Sequence, residues 1–574
     1  MIPRGAGRTH RRRPHIMLLR PLLICLLVLV SAGASLGAQG ENGAVAAEHV
    51  LASRVGVDVL AKGGNAVDAA VAASFATCVV NPSSCGIGGG GFMVIFLAAD
   101  KRAIALDYRE TAPAAATRDM FVRDGNAVSE LSRRGGLAVG VPGEVRGLTT
   151  ALAKFGTLSL AEALAPAIHL AKAGFPAGSH LADVVAANQA EIAAQPLLAR
   201  NLLRGDGSPK REGDEVTFPE LGRTLEAIAA AGPAAFYAGA VAQKIVDSVR
   251  AAGGSITLED LASYEPRLLE PASIDFAGYR LITMPPPSSA GVALEVVGMI
   301  AEDDLAKLGR DSVEYTHLLA EALKHGFADR ARHYGDPLDT PSPLAELLAP
   351  ANLRSLRARI EPTEVLAHDA YGSDRGSRVS QPDDHGTSHI SVMDRHGNAV
   401  ACTTTINTAF GSMVVAGDTG IILNNEMDDF SAQPGVPNVY GLIGAEANAI
   451  APGKRPLSSM SPTIAIRDGA AVLAVGASGG PLIITSTLQT LLNALVFGLD
   501  TEQAVAAPRI HHQWTPAVLA VEAGIDKQLQ RALRQRGHTV KEVRTMAAVQ
   551  LVQRTAQGFF GASDPRKGGQ AAAW

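Results

Sequence analysis

The stretch that decides the fold is Asp383–Gly411, "DDHGTSHISVMDRHGNAVACTTTINTAFG". It opens polar and then changes texture. After Thr387, "SHISVMD" and "AVACTTTIN" flank the turn "RHGN", which predicts a β-hairpin. A Ser and a His two residues apart would suit a hydrolase, and they would equally suit a strand. The threonine between Gly386 and Ser388 has a third use. If the Gly386–Thr387 bond were cut, Thr387 would bear both a hydroxyl and an α-amine. The amine could take the hydroxyl proton directly or through water. An ordinary α-amine titrates near 7.7–8.0, close to working pH. The same hydroxyl could make the cut by attacking the Gly386 carbonyl, and a glycine there tolerates unusual backbone geometry. Upstream, Ala367–Gly386 is polar, aperiodic and glycine-bearing, as an exposed linker would be.

Working outward, a second hairpin is expected in "TIAIRDGAAVLAVGA", turning at Asp468-Gly469. "PLIITSTLQTLLNALVFGL" reads as a long apolar helix. Toward the N-terminus, "AEHVLASRVGVDVLAKGGNAVDAAVAASFATCVV" reads as two helices, broken at Gly63-Gly64 and restarted by an Asn65 cap. Gly88–Gly91 precede a strand and no GK[ST] follows. That excludes a phosphate loop and points to close backbone approach or positive φ. Between residues 150 and 380 helical runs alternate with Pro/Gly-marked turns, "PPPSSAG" at Pro285–Gly291 among them. Helix pairs, paired strands and further helices predict an α+β fold, a four-layer αββα sandwich.

The charge of −5 weighs against nucleic-acid or anionic-membrane partners. The N-terminus reads as a signal peptide over residues 1–38. Arginines 4, 8 and 11–13 precede the apolar "PLLICLLVLV", and cuts after Ala34 or Ala38 both fit. That run is about half the ~20 residues a spanning helix needs, so no stable membrane insertion is expected after export. Cys25 leaves with the signal. Cys78 and Cys85 could pair in an oxidising compartment, and Cys402 reads as a buried strand residue. No metal-ligand spacing is evident, and no cofactor is implied.

Several motifs in order carry a family resemblance: "LDYRETAP", T-S-H-x-S-V from Thr387, "NNEMDDF", "RPLSSMSPT", "GASGG" and "GASDPRKGG". From about residue 44 to the end the chain resembles the γ-glutamyltranspeptidases, within the N-terminal-nucleophile hydrolases. The resemblance implies a precursor that cuts itself at Gly386–Thr387. It would yield a large subunit, 39–386, and a small one, 387–574, held as a heterodimer. Thr387 matches the nucleophile and Thr405 the threonine that supports it. Arg109, Ser458 and Ser459 match the groups binding the substrate α-carboxylate. Asp429 matches the ammonium ligand, with Asn407 and Glu426 as supporting partners. Gly479 and Gly480 match the oxyanion pair, and Tyr440 matches a lid tyrosine in the Pro/Gly-rich loop after Phe430. Pro481 and Leu482 depart from the polar residues often found after the glycine pair. Ser388, His389 and Ser391 fall to structural roles.

The implied substrate is a small γ-glutamyl compound such as glutathione, with water or an amino acid or peptide as acceptor. The alternatives are a glutaryl-type cephalosporin acylase and a catalytically silent periplasmic relative.

Overall fold

The structure is a computed structural model that describes residues 37–338, 342–372 and 386–574. Residues 1–36 of the expected signal peptide and residues 373–385 of the expected linker lie outside the described residues.

The hairpin forms as its sequence predicts. Thr387–Asp394 pairs antiparallel with Ala399–Thr405, with Thr387 opposite Thr405 and Met393 opposite Ala399. Asp394 fixes the turn by accepting from the His396 and Asn398 amides, and Gly397 takes φ 86°. Strand alternation then sorts the side chains. Ile390, Val392, Val400 and Cys402 face a helical layer that includes Ala66–Val80. Met393, Ala399 and Ala401 face a second sheet. His389 shares that inner face. Its ring fills the space a side chain at Gly476 would need, and bonds Thr403 and Ser391 at 2.7 and 3.0 Å. Burial pushes it down to about 3, so it is a neutral strut between the sheets.

The hairpin sits inside a seven-stranded sheet ordered Ala572–Ala573, Gly43–Ala47, Thr387–Asp394, Ala399–Thr405, Gly90–Leu97, Arg102–Tyr108, Arg267–Leu269. The facing sheet runs Gly37–Gly40, Gly558–Ser563, Ala548–Thr555, Ala470–Ser478, Thr463–Arg467, Tyr279–Thr283, Ala272–Phe276. Its outer face carries Leu482–Leu495, Gly291–Met299 and Val313–His333. The result is the αββα sandwich. Both sheets combine strands from before and after Gly386, so the two parts share one core.

The second hairpin turns at Asp468 and Gly469, both at positive φ, as a two-residue turn demands. Asn65 caps Ala66–Val80 in a reciprocal capping box with Asp68. Gly88–Gly91 serve close approach: a Cβ at any of them would run into a carbonyl oxygen, of Ile422, Thr405, Tyr108 and Thr403 in turn. Cys78 and Cys85 are buried, adjacent free thiols. Cys402 bonds the Tyr108 hydroxyl at 3.2 Å. Among the described residues no helix is long and apolar enough to cross a membrane.

Candidate active site

The hairpin register sets two hydroxyls against each other at its open end. Thr387 Oγ1 lies 3.1 Å from Thr405 Oγ1. Thr405 donates to the Gly386 carbonyl oxygen at 2.8 Å and accepts from the Asn407 amide at 2.8 Å. Its one proton goes to that carbonyl, so the Thr387 hydroxyl is the donor between the two. The attacking oxygen and the carbonyl it would attack are therefore held by the same side chain. A Cβ on Gly386 would overlap the Asn407 carbonyl oxygen. Gly386→Ala is expected to slow cutting of the chain at least tenfold, read as the uncut fraction on denaturing gels over time.

Strand Ala470–Ser478 ends at Gly479 (φ 146°) and Gly480 (φ 53°), then enters helix Leu482–Leu495. Neither glycine N–H has a hydrogen-bond partner among the described residues. They stand near a helix N-terminus, where backbone donors favour negative charge. Any Cβ at Gly480 would press on the Tyr440 ring at 2.8 Å.

Across the cavity lies Arg109, 1% exposed. Its guanidinium reaches Glu426 at 2.6 Å, Asp429 at 2.5 Å and the Pro456 carbonyl at 3.2 Å. Glu110 stands 3.8 Å away. Burial opposes the arginine's charge, but these carboxylates outweigh it and hold the guanidinium above its ordinary range. Burial also pushes Glu426 and Asp429 upward, with Arg109 pulling both back. Glu110 is pushed up to about 8. Three carboxyl groups thus crowd one guanidinium, with the buried Arg330 a further cation acting on Asp429.

Arg109, Thr387, Thr405, Asn407, Asp429, Tyr440, Ser458, Ser459 and Gly480 line one cavity. Gly479 adjoins it and Glu426 lies behind Arg109. The Pro285–Gly291 loop holds the serines in place: Ser458 donates to the Pro287 carbonyl and Ser289 to that of Ser458, at 2.8 and 2.7 Å. Tyr440 closes the top through a 2.8 Å bond to the Asn407 carbonyl. The free volume is about 20 Å³, room for about one water. As it stands, the cavity has no room for an amino-acid-sized group.

The family model described as Gamma-glutamyltranspeptidase matches residues 52–574. The chain belongs to the gamma-glutamyltranspeptidase family. It is 42% identical to a glutathione hydrolase proenzyme of Escherichia coli K12, over 92% of this chain and 91% of that one. It is 41% identical to one from Pseudomonas sp. strain A14, covering 96% and 97%. Among solved structures, the cephalosporin acylase from Bacillus halodurans superposes with TM-score 0.82 at 28% identity, over 94% and 97% of the chains. The gamma-glutamyltranspeptidase of Helicobacter pylori gives TM-score 0.54 at 38% identity, covering 55% of this chain and 91% of that one.

Lys567, Glu48, Ser478 and Glu110 also reach this gamma-glutamyltranspeptidase site, and sequence reasoning passed over them. "GASDPRKGG" is visible as a motif, but nothing local shows that its lysine lies under Thr387. As for metals, His317, Glu321 and His538 converge with ligand atoms within 4.8 Å of one another. Lys324, 2.5 Å from Glu321, already supplies the cation there.

Proposed function

We propose that this chain is the precursor of an exported enzyme that cuts itself between Gly386 and Thr387. The enzyme then moves γ-glutamyl groups, from glutathione among other donors, onto water or an amino acid or peptide. One observation carries the reading. A threonine pair engaged with the carbonyl of its own upstream peptide shares a cavity with a buried arginine ringed by carboxylates.

In self-cleavage Thr387 Oγ1 attacks the Gly386 carbonyl carbon. The C–N bond breaks, an ester links Gly386 to the threonine oxygen, and the α-amine is released. Water hydrolyses the ester. Residues 37–386 and 387–574 then stay together, because both sheets interleave strands from the two parts. The Helicobacter pylori chain covers just over half of this one while nearly complete itself, which supports a working form made of two chains.

In turnover the Thr387 amine takes the hydroxyl proton as the oxygen attacks the γ-carbonyl. The free N–H groups of Gly479 and Gly480 stabilise the oxyanion. Losing one such donor typically costs ~10²–10³ in rate. The first product leaves with the proton, and a γ-glutamyl ester remains on Thr387. Water or an acceptor amine resolves it, giving ping-pong kinetics.

The charge arrangement selects the substrate. A γ-glutamyl group brings an ammonium to Asp429 and Glu426, and a carboxylate to Arg109, Ser458 and Ser459. A glutaryl group brings only the carboxylate, adding negative charge where carboxylates already outnumber the cation. The likeness to a cephalosporin acylase makes the comparison worth measuring. We expect kcat/KM for a γ-glutamyl anilide to exceed that for a glutaryl anilide by ~10²-fold or more, the worth of one buried charge-assisted contact. Preference for glutaryl would overturn this reading.

N-terminal sequencing of the small fragment is expected to return Thr-Ser-His-Ile. The same method on the large fragment tests the signal cut. Strand Gly37–Gly40 pairs with Gly558–Ser563, so a cut after Ala34 leaves it whole and one after Ala38 halves it. This favours Ala34.

A further inference from the structure

Near the C-terminus, Asp564 accepts from the Arg566 amide at 3.0 Å and caps the short turn Pro565–Lys567. Arg509 and Arg566 grip the same carboxylate at 2.8 and 2.9 Å. Gly568 follows at φ 73°. This rigid corner delivers Lys567, buried, beneath Thr387. Its ammonium donates to the Thr387 carbonyl at 2.6 Å and to the Ser478 hydroxyl at 3.1 Å. Glu48 Oε2 is 3.0 Å away, and Glu48 Oε1 accepts from the His389 amide at 3.3 Å.

One ion pair therefore touches the strand that begins with Thr387, the residue before the Gly479-Gly480 turn, and the end of strand Gly43–Ala47. Buried ion pairs are poor stabilisers, since a well-packed apolar pair often does as well. Stability alone does not explain this one, and its position suggests a role in the chemistry.

We propose that the Lys567–Glu48 pair aligns Thr387 with the Gly479-Gly480 turn, and that the lysine's charge keeps the amine freed by self-cleavage neutral and able to accept a proton. Lys567 is then a positioning residue. The inference rests on Thr387 being the nucleophile.

The sign follows from contact. Lys567 touches Thr387 itself, whereas Glu48 reaches the Ser388 side chain and the His389 amide, one and two residues on. The nearer charge is positive, so it disfavours protonation of the amine. An unperturbed α-amine is mostly protonated at neutral pH and useless as a base, and a modest downward shift corrects that. Among the described residues, the charged groups across the cavity are Arg109 and Asp429, which pair with each other, with Glu426 and Glu110 beside the arginine and Arg330 acting on Asp429. His389 is neutral and turned between the sheets. Thr405, Asn407, Ser388 and Ser478 carry no charge.

The test is the acid limb of the pH profile of kcat/KM on a γ-glutamyl anilide, which reports groups of the free enzyme. Each variant is first checked for cutting at Gly386–Thr387 by N-terminal sequencing. Lys567→Met is expected to move the limb up by about one pH unit, and Glu48→Gln to move it down. Lys567→Arg restores a cation and should return the limb to within about 0.3 unit of wild type. A merely structural pair would lower kcat without opposite shifts. If Lys567→Met gives no folded, cut enzyme, Glu48→Gln decides alone, and an unmoved or raised limb overturns the proposal. Unmoved limbs in cut variants overturn the role of the pair while leaving Thr387 as nucleophile. A wild-type chain that stays uncut overturns the underlying reading instead.

Discussion

Thr387→Ala is expected to run as one uncut chain on a denaturing gel, with γ-glutamyl anilide turnover reduced by ~10⁴-fold or more. Losing a covalent nucleophile from a coupled site has effects of that order. The variant loses both chemistries because the same oxygen is used twice, first on Gly386 and then on substrate. It should still fold. Thr387 contributes one hydroxyl contact, to Thr405, and its strand register is set by Ile390, Val392 and the turn at Asp394. Thr387→Ser separates the roles further. It keeps the oxygen, so it should cut and turn over, more slowly for want of the γ-methyl that restricts the rotamer. A Thr387→Ala chain cut at the wild-type position would remove this residue from both reactions.

Arg109→Met is expected to lower kcat/KM by about 10³-fold, mainly through KM, with self-cleavage retained. Arg109 lies across the cavity from the Gly386 carbonyl, so the cut does not need it. The second consequence is on stability. Breaking a buried pair by removing one partner costs about 3–5 kcal/mol, because the other charge is left stranded. Here Glu426, Asp429 and Glu110 lose their closest cation and are driven toward the protonated form. Groups whose folded pKa is raised stabilise the fold at low pH and lose that contribution as pH rises through the folded value. The variant should therefore melt much lower at pH 8 than at pH 5.5. Wild type should show a weaker trend in the same direction. Burial holds both Glu110 and Glu144 near 8 against an ordinary value near 4.5, so its melting temperature should decline from about pH 5 to about pH 8 and level off above that. A pH-independent melting temperature in Arg109→Met would contradict the stranded-carboxylate account.

Much of this architecture is legible because it is local. The hairpin after Gly386 follows from alternation and from a turn whose length sets Thr387 opposite Thr405. The Asn65 capping box, the Asp468-Gly469 turn and the Leu482–Leu495 helix are likewise written in a few adjacent residues. Gly88–Gly91 announce close packing, since nothing larger fits against four carbonyl oxygens. His389 shows the limit. A Ser-His-Ile-Ser run suggests hydrolase chemistry on paper. Its real environment is Gly476 in a strand far along the chain, and that contact makes it a neutral spacer.

The chain by itself determined the hairpin and the helices, because periodicity and turn chemistry act over a few residues, and its motifs in order pointed to the candidate nucleophile only through a family resemblance. Only the tertiary structure decided which charges meet. Arg109 finds Asp429 across 320 positions, and Lys567 finds the Thr387 carbonyl across 180. Both meetings depend on how two twisted sheets stack and on where a C-terminal corner folds back. A buried ion's effect falls off with spatial distance, which no local pattern encodes.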